Sequence, residues 1–175
     1  EEHKMGIKGS STRQVFFNDC KVPVENLLSD RQKSNLPAPL TTFIGREKEQ
    51  AEVIQLITKY RLVTLTGSGG VGKTRLSIKV GEKVLGNYAD GIWLVELASL
   101  SNSALIAQTL AALFGLTAQS TIPFTDLLIN FLRARSVLLI VHNCEHLLDA
   151  CAHFIETLLK SCPHLKILAT SREAL

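Results

Sequence analysis

The chain has 175 residues, of which 46% are hydrophobic and 20% are charged, and its net charge is +3. Because this charge is small and the basic residues are scattered, the composition does not indicate a nucleic-acid or membrane surface. The longest purely aliphatic run, 137–141, is far shorter than a membrane span, and no signal peptide is recognisable in the charged first residues. We therefore expect a cytoplasmic protein without a membrane partner.

The chain divides by sequence pattern into three parts. Residues 1–30 alternate short apolar and polar stretches, which predicts short β-strands and turns. Residues 31–40 carry two prolines, and because each residue before a proline disfavours helix, we predict a linker there. From residue 41 to residue 175 helical and strand patterns alternate, which predicts an α/β domain with a mostly parallel sheet.

Four strands and five helices are predicted within that domain. The strands cover 61–66, 91–97, 136–141 and 165–170. The helices cover approximately 53–60, 74–86, 102–115, 125–132 and 147–162, with Ser101 or Asn102 capping the third and Thr125 capping the fourth. The strand at 136–141 is a continuous apolar run, which is typical of a strand buried on both faces of a parallel sheet.

A phosphate-binding motif, G-x-x-x-x-G-K-[ST], lies between the first strand and the second helix. Its residues are Gly67, Ser68, Gly69, Gly70, Val71, Gly72, Lys73 and Thr74. Glycines let successive backbone N–H groups turn toward a phosphate, and the helix N-terminus adds partial positive charge. Lys73 can reach the β- and γ-phosphates, and the Thr74 hydroxyl can ligate Mg²⁺. An ordinary glycine-rich turn is the alternative, but the Lys-Thr pair and both flanking elements favour nucleoside triphosphate binding.

From about residue 36 to residue 175 the sequence resembles the STAND class of P-loop NTPases, which includes the NB-ARC proteins. It most resembles the ATPase modules of bacterial LuxR-family and related multidomain transcriptional regulators. The segments that carry the resemblance are 43–47, 65–74, 91–96, 142–146 and 167–175. The resemblance implies a three-layer α/β/α fold, ATP and Mg²⁺ as cofactors, ATP or ADP as ligand, and DNA binding only through domains outside these 175 residues.

The resemblance also implies roles for residues outside the loop. Ile44, Gly45 and Arg46 would lie near the adenine. Arg172, directly after the fourth strand, would be a sensor arginine near the γ-phosphate, although a surface arginine is the alternative.

The sequence departs from the family at His142. There the family places the Walker B aspartate that helps to hold Mg²⁺, whereas imidazole is a poor ligand for this hard cation. Asn143 and Glu145 could compensate in part. We therefore expect a regulatory switch module that binds ATP but hydrolyses it weakly. An active ATPase, in which Glu145 supplies the carboxylate, and a non-functional fragment are the alternatives.

The histidine and cysteine spacings do not indicate a zinc site or disulfides. His142 and His146 have a spacing that binds zinc only when both lie on one helix face, whereas we expect the first to end a strand and the second to begin a helix. The spacing of the cysteines matches neither kind of site, which favours reduced thiols. They are Cys20, Cys144, Cys151 and Cys162.

Residues 1–30 resemble a segment of the middle β-domain of acyl-CoA dehydrogenases, on the stretches 4–12 and 15–28. That family's catalytic base belongs to a helical domain that does not occur here, so we expect a relic of gene fusion without dehydrogenase activity. In the nucleotide-binding class, the phosphate-loop strand lies between the fourth strand and a fifth. We expect that fifth strand to be missing from these 175 residues, which would leave an open apolar edge and favour self-association.

Overall fold

The computed structural model describes residues 34–38, 45–98, 102–117, 122–143 and 147–172. The chain divides into two units, residues 1–31 and 32–175, and all of the described residues belong to the second. The predicted strands within 1–30, and the acyl-CoA dehydrogenase resemblance that rests on them, lie outside the described residues. So do five of the ten positions of the predicted linker, 31–33 and 39–40.

The described residues form five helices and four strands that largely alternate along the chain. The helices are α1 (Glu47–Lys59), α2 (Lys73–Val84), α3 (Leu105–Leu113), α4 (Phe124–Leu132) and α5 (Leu148–Ser161). The strands are β1 (Leu62–Thr66), β2 (Ile92–Glu96), β3 (Leu138–His142) and β4 (Lys166–Ser171). None of these helices is long and apolar enough to cross a membrane.

The four strands form one sheet in the order β1-β4-β3-β2, and each of its pairings is parallel. This confirms the predicted parallel α/β sheet. The carboxyl ends of the strands therefore lie at one edge, from which the loops that follow β1, β2, β3 and β4 emerge. In such sheets ligands bind outside the carboxyl ends of the strands.

Helices cover both faces of the sheet, which gives the predicted three layers. In β3, Leu138 and Ile140 pack into a core with α1 and α2, whereas Leu139 and Val141 pack into a second core with α3, α4 and α5. All four side chains are buried. The continuous apolar run predicted a strand covered on both sides, and the structure confirms it because the period-two alternation of a strand sends neighbouring side chains to opposite faces.

Three predicted helix starts were wrong. Helix α1 begins at Glu47 rather than at about 53. Helix α3 begins at Leu105 rather than at 102, although the Asn102 side chain does accept a hydrogen bond from the Ala104 N–H at 2.9 Å. Helix α4 begins at Phe124 with Pro123 at its N-cap, so Thr125 lies inside the first turn instead of capping it. Pro123 has no side-chain acceptor for the first N–H groups; its carbonyl accepts from Leu127 N at 3.1 Å, and its ring restricts φ to the observed −58°.

Two cations from neighbouring strands cap helix C-termini. The Arg61 guanidinium donates to Leu159 O and Cys162 O, both at 2.6 Å, and to Leu165 O at 3.3 Å, and so it joins the start of β1 to the end of α5. The Lys166 ammonium likewise donates to carbonyls at the end of α1, with Thr58 O at 2.7 Å, and partial burial lowers its pKa. Positive charge at a helix C-terminus satisfies its last carbonyls and the helix dipole.

Residues 34–36, which fall inside the predicted linker, attach to the outer edge of β2. Ser34 forms a parallel bridge with Ile92. The Asn35 side chain accepts from Leu94 N at 2.6 Å and donates to Leu94 O at 2.8 Å, as a neighbouring strand would. Leu36 packs against Gly81 of α2, where an added Cβ would lie 3.0 Å from the Leu36 side chain. This part of the chain therefore belongs to the nucleotide-fold unit and covers one of its edges.

Candidate functional site

The loop from Gly67 to Gly72 connects β1 to α2 and is shaped by glycine. Gly70 and Gly72 have φ values of +78° and +85°, in the left-handed region that other residues rarely adopt. Gly72 is the N-cap of α2, and its carbonyl accepts the first helical hydrogen bond, from Leu76 N at 2.9 Å. The early N–H groups of α2 have no partner within the helix and point toward the loop, which makes this an anion-binding position.

Lys73 lies across the mouth of this loop. Its ammonium donates to Gly67 O at 2.7 Å and to Ser68 O at 2.9 Å. The side chain is thus held over the loop by two carbonyl oxygens that a phosphate oxygen can replace. Because an ammonium is a compact charge with three donors, it can keep one of these bonds while it binds an anion.

Predicted residues from distant parts of the sequence meet at this loop. Arg172 follows β4, and its Nη2 lies 3.9 Å from where a Cβ would stand on Gly69. Arg46, at the N-cap of α1 with a φ of +62°, places its Nη1 3.7 Å from the corresponding position on Gly72. Gly45, with a φ of +82°, accepts at its carbonyl from the Gln50 side chain at 3.2 Å. Two guanidinium groups therefore flank the phosphate loop. Ile44 and Glu145 lie outside the described residues.

His142 ends β3 and contacts Thr74, in the first turn of α2. The Thr74 hydroxyl oxygen is 3.1 Å from Nδ1 and 3.3 Å from Nε2 of the imidazole. Nδ1 also forms a 2.8 Å hydrogen bond with the hydroxyl of Thr170, which is buried in β4. Nε2 lies 3.9 Å from Oε1 of Glu96, at the end of β2. His142 thus occupies the centre of a polar row at the sheet edge.

Glu96 and Thr170 were not predicted as site residues. The register pairs Glu96 with His142 and His142 with Thr170, so three adjacent parallel strands place these side chains at one level. The sequence contained a signal, because each of the three stands at or next to the last residue of an apolar strand. The signal becomes specific only when the strand order is known.

A cavity of about 290 Å³ lies between the phosphate loop, the start of α2 and the ends of β3 and β4. Asn143, which has a φ of +60° and donates from its backbone N–H to Thr170 O at 3.2 Å, lies on its wall. The full set of lining residues is Gly69, Gly70, Gly72, Lys73, Thr74, Arg75, His142, Asn143, Thr170 and Arg172. Among these described residues three are cationic and none is a carboxylate, which suits a polyanionic ligand. A larger groove of about 640 Å³, between Arg61 and α5, shares no lining residue with the cavity at the phosphate loop.

These residues fit nucleotide phosphates better than they fit Mg²⁺. The Thr74 hydroxyl is an oxygen donor of the kind that Mg²⁺ takes. The side chain next to this hydroxyl, however, is the imidazole of His142. The Glu96 carboxylate is 70% exposed, and its Oε1 lies 3.9 Å from His142 Nε2. Mg²⁺ prefers an octahedron of oxygen ligands, so the donor set does not match it.

No family model matches the chain, but related proteins exist in Mycobacterium tuberculosis. Rv0894, named "Uncharacterized protein", is 40% identical over 136 residues, which cover 78% of this chain and 35% of that protein. Rv0890c, named "Putative HTH-type transcriptional regulator", is 47% identical over 118 residues, which cover 67% of this chain and 13% of that protein. The chain therefore spans about a third of the first relative and about an eighth of the second.

A third relative is named "Probable acyl-CoA dehydrogenase", from Bacillus subtilis. It is 50% identical over 48 residues, which are 27% of this chain and 8% of that protein. A stretch of this size is a small part of such a protein.

Solved structures share the fold. Cdc6p from Pyrobaculum aerophilum has a TM-score of 0.59 at 16% identity, over 79% of this chain and 41% of its own. The ORC2 protein of Aeropyrum pernix, solved as ADPNP–ADP complexes, has a TM-score of 0.58 at 15% identity, over 81% and 44%. The fold is that of P-loop ATPases. A Signal Transduction ATPase with Numerous Domains (STAND) from Pyrococcus horikoshii, which has a tetratricopeptide repeat sensor, also shares it, with a TM-score of 0.54 at 17% identity over 79% and 22%.

Proposed function

We propose that this chain is the nucleotide-binding module of a regulatory switch, with ATP and ADP as ligands and with weak hydrolysis. The observation that carries the proposal is the loop at 67–72, with Lys73 over its mouth and Arg46 and Arg172 beside it. The ADPNP–ADP complexes of the ORC2 protein support it by likeness of fold. The name of Rv0890c supports a regulatory role.

Phosphate binding follows from the groups that face the loop. The N–H groups of the loop and of the first turn of α2 donate to phosphate oxygens, and the helix dipole adds to the attraction. The Lys73 ammonium exchanges a carbonyl of Gly67 or Ser68 for a phosphate oxygen. Arg172 binds the terminal phosphate, because a guanidinium can bind it with two parallel hydrogen bonds. By the family resemblance, Ile44, Gly45 and Arg46 are proposed to lie near the adenine, and the Arg46 guanidinium also faces the phosphate loop.

Weak hydrolysis follows from the polar row at the sheet edge. A metal supplied with the nucleotide would neutralise phosphate charge, and Thr74 is the residue that would hold it. His142 occupies the position from which a carboxylate would orient Thr74 and the metal's water ligands, and it is instead bonded to Thr74 and Thr170. Asn143 is a neutral amide and cannot take a proton from an attacking water. Binding is therefore retained while the chemical step is slow.

An active ATPase is the second candidate, because Glu96 lies 3.9 Å from His142 and could supply a carboxylate. Glu145 is the other carboxylate proposed for this role. Titration of a fluorescent ATP analogue, followed by steady-state phosphate release in Mg²⁺, distinguishes the candidates. Tight binding with little phosphate release supports the switch, rapid release supports the enzyme, and no binding contradicts both.

Self-association is part of the proposal. In the described sheet β1 is an edge strand, and its start borders the groove of about 640 Å³ against α5. Unpaired backbone groups at such an edge can pair with another chain. DNA binding in this proposal belongs to other domains, since the chain itself carries little net charge. Size-exclusion chromatography at several protein concentrations tests the association, and an elution volume independent of concentration at the monomer position contradicts it.

A further inference from the structure

The Thr74 hydroxyl, the oxygen ligand that Mg²⁺ would take from this site, faces an imidazole ring. Its Oγ1 lies 3.1 Å from Nδ1 and 3.3 Å from Nε2 of His142, so the two ring nitrogens are almost equally far from it. Mg²⁺ stands about 2.1 Å from each of its oxygen ligands. An ion at that distance on the ring side of the hydroxyl would overlap the imidazole, so the ring and the ion exclude each other there.

The sheet fixes the imidazole in this position. Nδ1 also forms a 2.8 Å hydrogen bond with the hydroxyl of Thr170, and Thr170 is only 1% exposed. His142 is the last residue of β3, which lies between β4 and β2 in the sheet. Because its partner belongs to a buried strand, the ring cannot turn away from Thr74 without breaking this bond. The side of the hydroxyl that faces the ring is therefore closed to a metal ion.

Cationic side chains surround the same cavity. Lys73, Arg75 and Arg172 line it, and none of its described lining residues is a carboxylate. Arg46 adds a further guanidinium, whose Nη1 lies 3.7 Å from where a Cβ would stand on Gly72. Since like charges repel, these groups raise the free energy of a divalent cation in the cavity and lower that of a polyanion.

The protein can neutralise phosphate charge with its own groups. A guanidinium donates two parallel hydrogen bonds to phosphate oxygens, and an ammonium and the N–H groups at a helix N-terminus donate to others. Free nucleotide carries more negative charge than its Mg²⁺ complex. A cationic cavity whose described lining lacks carboxylates therefore favours the free form.

We propose that the site binds the metal-free forms of ATP and ADP in preference to their Mg²⁺ complexes. Lys73 and Arg172 neutralise the phosphates, and His142 closes the side of Thr74 from which a metal would be held. This inference rests on the proposed nucleotide binding and specifies the ionic form of the ligand. It also gives a reason for slow hydrolysis, because the bound nucleotide lacks the ion that assists phosphoryl transfer.

Titration of a fluorescent ATP analogue in EDTA and in increasing Mg²⁺ tests the inference, with KCl used to hold the ionic strength constant. The full chain is compared with two variants that carry the same change, His142→Asp and His164→Asp. His164 lies exposed in the turn before β4, so it serves as the matched control. In the wild type and in His164→Asp we expect Mg²⁺ to weaken binding or to tighten it by less than twofold. In His142→Asp we expect Mg²⁺ to tighten binding tenfold or more, because the carboxylate repels metal-free phosphates and supports the ion.

Unlabelled ATP and ADP provide a second measurement, which depends on neither the label nor the variants. Relative to the nucleotide-free chain in the same buffer, each should raise the melting temperature of the wild type at least as much in EDTA as in Mg²⁺.

Three results would overturn this inference and leave the proposed function standing. They are Mg²⁺ tightening of twofold or more in the wild type, Mg²⁺ tightening below tenfold in His142→Asp, and greater stabilisation by nucleotide in Mg²⁺ than in EDTA. Absence of nucleotide binding in both EDTA and Mg²⁺ would overturn the inference and the proposed function together.

Discussion

Replacing Lys73 by alanine tests the phosphate loop most directly. A hydrogen bond to a charged group contributes about 1.5–3 kcal/mol. In this structure, however, the ammonium already bonds to Gly67 O and Ser68 O, and binding a phosphate gives up at least one of these bonds. The net contribution is therefore close to the lower limit of that range, on either side of it, at about 1.4–2 kcal/mol. This corresponds to about 10- to 30-fold weaker ATP binding in Lys73→Ala.

Fluorescent-nucleotide titration measures this loss, with circular dichroism melting to show that the variant is folded. Lys83→Ala is the matched control, because Lys83 lies on the same helix, is exposed and lines none of the cavity described above. We expect its ATP affinity to stay within about twofold of wild type, well under 1 kcal/mol. If Lys73→Ala and Lys83→Ala bind ATP equally well, the assignment of this loop to phosphate is wrong.

Substitutions at three further positions test other parts of the reasoning. His142→Asp should raise steady-state phosphate release in Mg²⁺ tenfold or more, the size typical of an outer-shell metal partner; an unchanged rate would show that His142 does not limit hydrolysis. Arg61→Met removes two hydrogen bonds to the C-terminal end of α5 and one to Leu165 O, directly before β4, and should lower the free energy of unfolding by about 1.5–3 kcal/mol. We expect a melting temperature lower by roughly 4–10 °C with ATP affinity unchanged. Asn35→Ala should lower the free energy of unfolding by about 1–2 kcal/mol. Asn35→Asp keeps the acceptor for Leu94 N and should lower it by less. Equal melting temperatures for the two Asn35 variants would mean that this side chain does not pair with β2.

The phosphate loop and the order of elements were determined by local sequence. Gly70 and Gly72 provide left-handed backbone, the apolar run at 138–141 specifies a strand covered on both faces, and both signals lie within a few neighbouring residues. Such patterns predict the same local structure in any chain, because steric limits on φ and the alternation of side chains along a strand are local properties. The sequence therefore sufficed for the parallel α/β architecture and for the loop.

Helix starts were less well determined, because several residues near each start can act as a cap. At α4 the N-cap is Pro123, which has no side-chain acceptor, and Thr125 lies within the first turn. The role of 34–36 was also missed, since a proline-bearing stretch predicts only that helix is unfavourable. Whether such a segment pairs with a strand depends on which edge of the sheet it meets.

Only the tertiary structure decided what surrounds His142. Its neighbours Glu96 and Thr170 are 46 and 28 residues away in sequence, and the strand order β4-β3-β2 with its register brings all three to one level. Strand order is set by long-range packing, in which helices on both faces bury the apolar sides of the sheet, and a single sequence does not specify which strands become neighbours. The sequence identified an imidazole where an aspartate was expected, and the fold determined which groups that imidazole contacts.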